Sequence, residues 1–225
     1  RKRRRLHRTG EHALNGMGRQ LNRQRAGAGA TVVALASLLL TACAGQYQAV
    51  PPSAFPPPLM ETLPMAVALD IAPAFSTYTH TETMTGTRGA TWTLPIGPAS
   101  VDWVQNLARA RFSSIEGGRS AALRIAPTIE RVEFSLPSQT GSDFYEAWIK
   151  YRVQITNAAG QTVADLPLAA YGKSRDGMMV GAETGMGDAL NQAMRDATAA
   201  LALALQDDRK VSDWARSSGA VAGGV

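Results

Sequence analysis

Few residue groups in this chain have the types and spacing that catalysis needs. His80 and Glu82 stand two apart, so an extended backbone puts them on one side, as in a carboxylate-assisted histidine base. Such a base needs a nucleophile, and no Gly-x-Ser-x-Gly turn occurs to present one. Glu130 and Glu133 would serve as a glycosidase pair only by facing each other across a cleft, and Arg124 and Arg131 read as their surface partners instead. Gly172-Lys173-Ser174 has the ending of a phosphate-binding loop, but Pro167 stands where that loop requires its first glycine. Gly181-Ala-Glu-Thr-Gly185-Met-Gly187 lacks the strand-helix-strand surroundings of a dinucleotide fingerprint and reads as a flexible loop leading into a helix. A single cysteine, Cys43, excludes an intrachain disulfide framework and a cysteine-rich zinc site. No catalytic residue, metal ligand or cofactor is expected, and the chain is not read as an enzyme.

The 225 residues carry a formal charge of +5, but this charge is unevenly placed. Residues 1–42 hold nine basic side chains (Arg1, Lys2, Arg3, Arg4, Arg5, Arg8, Arg19, Arg23 and Arg25) against Glu11, a net +8. The remaining residues hold fourteen basic and seventeen acidic side chains, a net −3. The basic segment runs into the apolar stretch Ala30–Leu40 and then into small residues, the layout of a secretory signal. That run is well short of the ~20 residues a spanning helix requires. Nucleic-acid binding is not expected, because the basic residues belong to the signal rather than to the domain. Met17 begins a sufficient basic region by itself and is read as the translation start; the other reading is one unusually long basic region over 1–42.

Leu40-Thr41-Ala42-Cys43 closely resembles the lipobox of bacterial lipoproteins, and the chain's one cysteine falls at the edge of its one long hydrophobic run. The resemblance implies diacylglycerol on the Cys43 thiol, cleavage between Ala42 and Cys43, and acylation, typically with palmitate, of the new amino group. Ala44 after the cysteine, where an aspartate would signal retention, implies the periplasmic face of the outer membrane, with the inner membrane as the alternative. Several acyl chains make a firm anchor, at about 0.8 kcal/mol per buried methylene, whereas one alone is marginal.

Residues 43–64 are expected to form a lipidated tether, since six prolines between Pro51 and Pro64 favour an extended, semi-rigid spacer. A globular domain is expected over 65–210 and a flexible tail over 211–225. Met65–Ile71 reads as a strand, and threonine at every second position from Thr77 to Thr87 reads as another. Val101, Val104, Leu107, Ala108 and Phe112 recur at helical spacing, with Arg109 and Arg111 outside the apolar stripe. The phases of Leu123-Ile125-Ile129 and Val132-Phe134-Leu136 differ, which predicts one strand with a bulge near Glu130. Tyr145 to Ile155 alternates cleanly, Asn157–Gly160 reads as a hairpin turn, and Pro167 puts the return strand at a sheet edge. Asp188 to Leu205 reads as the principal helix.

These elements predict an α+β domain: an antiparallel sheet of about four or five strands with two helices packed on one face. The layout, from the lipobox to the C-terminal helix, resembles small proteobacterial outer-membrane lipoproteins of the YajG type, whose members are mainly of unknown function. Trp148 projects from the charged side of the cleanest strand, and with Trp92 and Tyr78 it forms the candidate interaction surface. The leading reading is a non-catalytic lipoprotein, membrane-bound through covalent lipid, whose domain binds or helps assemble an envelope protein partner. The alternative is a lipid- or small-ligand-binding accessory of a transport system, using a cavity between sheet and helices; the third is an envelope hydrolase built on His80, Glu82 and a serine. Nothing in the sequence indicates an oligomeric state.

Overall fold

A computed structural model describes residues 45–52, 55–85, 89–116, 121–177 and 181–207. Leu40, Thr41, Ala42, Cys43 and the expected tail at 211–225 lie outside the described residues. The compact unit that contains the described residues begins at Gly45.

Its elements are β1 (Gln46–Gln48), β2 (Leu63–Leu69), α1 (Pro73–Ser76), β3 (His80–Thr83), β4 (Thr91–Leu94), α2 (Gly97–Arg111), β5 (Phe112–Ile115), β6 (Leu123–Ser135), α3 (Pro137–Thr140), β7 (Phe144–Asn157), β8 (Thr162–Arg175) and α4 (Ala182–Asp207). The class is α+β, as predicted, but neither the single antiparallel sheet nor the two helices on one face is what forms: the described residues hold two sheets and four helices. One sheet has the order β1-β4-β3 and the other β5-β2-β6-β7-β8. Both are mixed: β1 runs parallel to β4, and β2 runs parallel to both β5 and β6. The parallel pair arises because α2 stops at Arg111 and the chain continues at once as strand β5. Phe112 thereby leaves the helical stripe in which its spacing had placed it.

The long hairpins follow the sequence. Tyr145, Ala147, Ile149, Tyr151, Val153 and Ile155 of β7 are all buried, and alternation leaves the intervening side chains in solvent. The β6–β7 register shifts between Ile129 and Arg131, so the bulge sits at Glu130, where the two hydrophobic phases meet. Gly160 closes the β7–β8 turn at φ 77°, while the Asn157 carboxamide oxygen accepts from the backbone N–H groups of Ala159 and Gln161.

Three expectations need correction. First, most of the segment expected to be a tether is bound into the fold. Ala49 is fully buried in the β1–β4 layer, Asn191 reaches the Pro52 carbonyl and Asn106 the Phe55 carbonyl. Prolines favoured an extended strap here, and the apolar side chains between them gave it something to bury. Second, among the described residues the threonine run is a strand from His80 to Thr83, and Thr87 lies outside them; Thr77 instead ends α1, its hydroxyl donating to the Pro73 carbonyl. Third, α4 begins at Ala182 rather than Asp188, so the glycine-rich segment is its first turns and Met186 is fully buried. Low helix propensity of glycine is overridden because Gly185 and Gly187 let the helix approach the Tyr145 ring and the Val50 carbonyl, where a Cβ would stand 2.5 and 2.9 Å away.

Two buried polar groups tie this core together. The Tyr151 hydroxyl, 3.0 Å from the Ser100 hydroxyl, has its pKa pushed up to about 12 by burial, an effect partly offset by the hydrogen bond with Ser100. Arg111, predicted to point away from the core, is buried instead. It donates to the carbonyls of Glu61 at 2.7 Å and Leu205 at 3.1 Å, the latter in the last turn of α4. Desolvation lowers its pKa, with the Glu61 charge opposing that shift.

Candidate functional site: the solvent face of the long hairpins

Pairing between β6, β7 and β8 sets the solvent-facing side chains in rows. Glu133, Trp148 and Tyr171 stand opposite one another across the three strands, and Ser135, Glu146 and Lys173 form the next row. Trp148 and Tyr171 are each 37% exposed, and their rings lie 5.3 Å apart with planes tilted by 36°. The Tyr171 hydroxyl donates to Glu146 at 2.6 Å, and the other oxygen of that carboxylate accepts from Ser135 at 3.1 Å. Donation to Glu146 raises the Tyr171 pKa and, with the indole alongside, holds the phenol ring in one orientation.

Ion pairs surround this aromatic pair. Arg152 bonds Glu130 at 2.6 Å and Asp165 at 2.8 Å, which raises its already high pKa. Arg131 pairs with Glu133. The two glutamates weighed as a glycosidase pair are thus each engaged by an arginine on an open surface.

A groove of about 620 Å³ runs beside Trp148, lined by Glu82, Arg131, Val132, Glu133, Phe134 and Trp148. Val132 and Phe134 supply an apolar floor and the charged residues its rim. His80 and Glu82 do meet, Nε2 to Oε2 at 3.3 Å, and the imidazole edge rests on the Phe134 ring at 6.0 Å. The lining includes no serine to complete the hydrolase arrangement. A smaller cleft of about 190 Å³ lies among Tyr47, Trp92, Leu136, Tyr145 and Asp176. It falls below the ~300 Å³ at which small-molecule pockets begin. Among the described residues, no cluster of three metal-ligating side chains occurs and no helix is long and apolar enough to cross a membrane.

Of the three residues expected to form an interaction surface, only Trp148 lies on the groove. Trp92 is buried: it stacks on Tyr47 at 4.8 Å and tilts against Phe134 at 6.1 Å. Its partner across the β3–β4 ladder is Glu82, and the side chains of both lie toward Phe134, so alternation commits Trp92 to the inside. Tyr78 is partly buried against the core. Trp103 is fully buried, edge-on to Tyr151 at 5.3 Å. Tyr171 was missed: counting out from the Asn157–Gly160 turn sets Ala169 opposite Trp148, two residues short, because the ladder is offset next to the turn. The groove had no signal in the sequence, because β3 and β6 are separated by a helix and two strands.

No protein-family model matches the chain, and no curated protein matches it. Among solved structures, a Xanthomonas campestris protein of the DUF330 family is similar at 15% identity and a TM-score of 0.42, over 71% of this chain and 93% of that one. A minor lipoprotein from Acinetobacter baumannii is similar at 10% identity and a TM-score of 0.40, over 64% of this chain and 94% of that one. A hypothetical protein from Chlamydia trachomatis is similar at 11% identity and a TM-score of 0.39, over 71% and 99%.

Proposed function

We propose that this chain is a lipid-anchored envelope protein that performs no catalysis and docks a protein partner through the Trp148 face. The observation that carries the docking role is the exposed Trp148–Tyr171 pair, fixed by Glu146 on an otherwise charged surface at the mouth of a groove. Rigid aromatic side chains half in solvent are the residues on which protein interfaces concentrate binding energy. The anchor reading rests on Leu40-Thr41-Ala42-Cys43 and on the charge division between the two parts of the chain. Cys43 would carry diacylglycerol and an N-acyl chain at the periplasmic face of the outer membrane. β1 begins three residues after it, so the domain would sit close to its anchor rather than at the end of a spacer.

Two measurements test the two parts. Cys43→Ser should move the protein from the detergent phase to the aqueous phase; retention in the detergent phase with an uncut N-terminus refutes lipidation. A photo-crosslinking amino acid in place of Trp148 should join the protein to a defined envelope partner in cells, whereas the same group at exposed Leu203 on α4 should not. Equal products from both positions, or none from position 148, would refute docking on this face.

A further inference from the structure

The strand edges of the molecule are treated unequally. On β8, Pro167 has no N–H to offer, the Tyr171 N–H is taken by Asp196 of α4 at 3.0 Å, and the Lys173 N–H by Gln192 at 2.9 Å. Part of that edge is therefore closed by side chains from its own helix, which prevents pairing with a foreign strand. β6 differs. β2 pairs with it only from Leu123 to Ile125, and from Ala126 to Ser135 no strand among the described residues lies along its outer side. The groove opens on the last part of this edge, at Arg131, Val132, Glu133 and Phe134. Its opposite rim includes Glu82 of β3, which is itself the outer strand of the three-stranded sheet.

We propose, building on the docking role assigned above, that the groove accepts an extended polypeptide segment of the partner, which adds as a further strand to the outer edge of β6. An unpaired strand presents alternating N–H and C=O groups, and another strand is the ligand that satisfies them in series. The side chains of the added segment alternate. One set lies over the apolar floor of Val132 and Phe134; the other stands on the solvent face with Arg131, Glu133 and Trp148. The floor makes the recognised segment apolar at every second position, and on the solvent face between them Arg131 and Glu133 already neutralise each other.

The test uses the full lipidated chain in detergent micelles and a phage-displayed library of random nine-residue peptides. A selected peptide is synthesised, and each of its backbone amides is N-methylated in turn. Strand addition predicts losses of tenfold or more at every second position and less than threefold at those between. It also predicts that the alternate amides from Arg131 to Ser135 not engaged by β7 exchange rapidly in the free chain and at least tenfold more slowly with peptide bound. Failure to select any peptide, N-methyl effects without period two, or amides already slow in the free chain would each overturn the proposal. If partner crosslinks at position 148 persist while the period-two pattern is absent, docking on this face stands and strand addition fails. Loss of both removes the docking role itself.

Discussion

Replacing Gly172 with alanine tests how closely the edge of the sheet depends on α4. A Cβ at this position would lie 2.1 Å from the Ala189 carbonyl oxygen and 2.3 Å from the Ala193 nitrogen. Both are backbone atoms of a continuous helix, so no rotamer change relieves the clash and α4 must retreat from β8 by about 1 Å. Overpacking of this kind costs about 1–3 kcal/mol. Retreat also stretches the bonds from Lys173 N–H to Gln192 and from Tyr171 N–H to Asp196, at about 1 kcal/mol each. The sum is about 3–5 kcal/mol, or roughly 10 °C in Tm for a domain of this size. Urea denaturation measures the loss, and amide exchange locates it: Tyr171 and Lys173 should lose protection before the β6–β7 ladder does. Because the obstruction is backbone, truncating side chains on α4 should not rescue the variant. A stability within ~0.5 kcal/mol of the parent, with both amides still protected, would refute the reasoning.

Alkaline stability should report on Tyr151 and acid-independent packing on Arg111. The unfolded phenol titrates near 10 and the folded one at about 12, so the unfolded state loses its proton first. Stability should hold below pH 10 and fall by about 3 kcal/mol between pH 10 and 12. Tyr151→Phe should abolish that share of the fall while costing about 1–2 kcal/mol at neutral pH, because the buried Ser100 hydroxyl loses its partner. Urea melts against pH compare the two proteins, and identical alkaline slopes would sink the assignment. Arg111→Met should cost about 2–3 kcal/mol by leaving the Glu61 and Leu205 carbonyls without donors, and exchange at the last turn of α4 should quicken. An unchanged last turn would show that Arg111 acts by bulk alone.

How much could be read in advance differs from element to element. The β6–β7–β8 meander was legible down to its bulge, its turn and its edge proline, because each strand carries its own alternation and each connection is local. Trp148 was legible for the same reason, as the aromatic on the wrong side of a regular pattern. Phe112 was misread because helical spacing and strand alternation overlap at the end of a short stripe, and only the parallel partner β2 decides between them. Arg111 was misread because its burial depends on two carbonyls from segments 50 and 94 residues away. Trp92 was misread because a four-residue strand has no periodicity strong enough to announce which side faces inward.

The amino-acid sequence by itself determined the division of charge between the first 42 residues and the rest, the position of the lone cysteine after an apolar run, and the long hairpins. These are properties of composition and near-neighbour spacing, and they need no contact between distant segments. Only the tertiary structure decided that the proline-rich strap packs into the fold, that glycines admit α4 close to β8, and that β6 ends with one edge unpaired beside β3. Those outcomes follow from which surfaces find one another after the chain has turned back on itself several times. The groove is the clearest case, since its two rims are about fifty residues apart and neither carries any mark of the other.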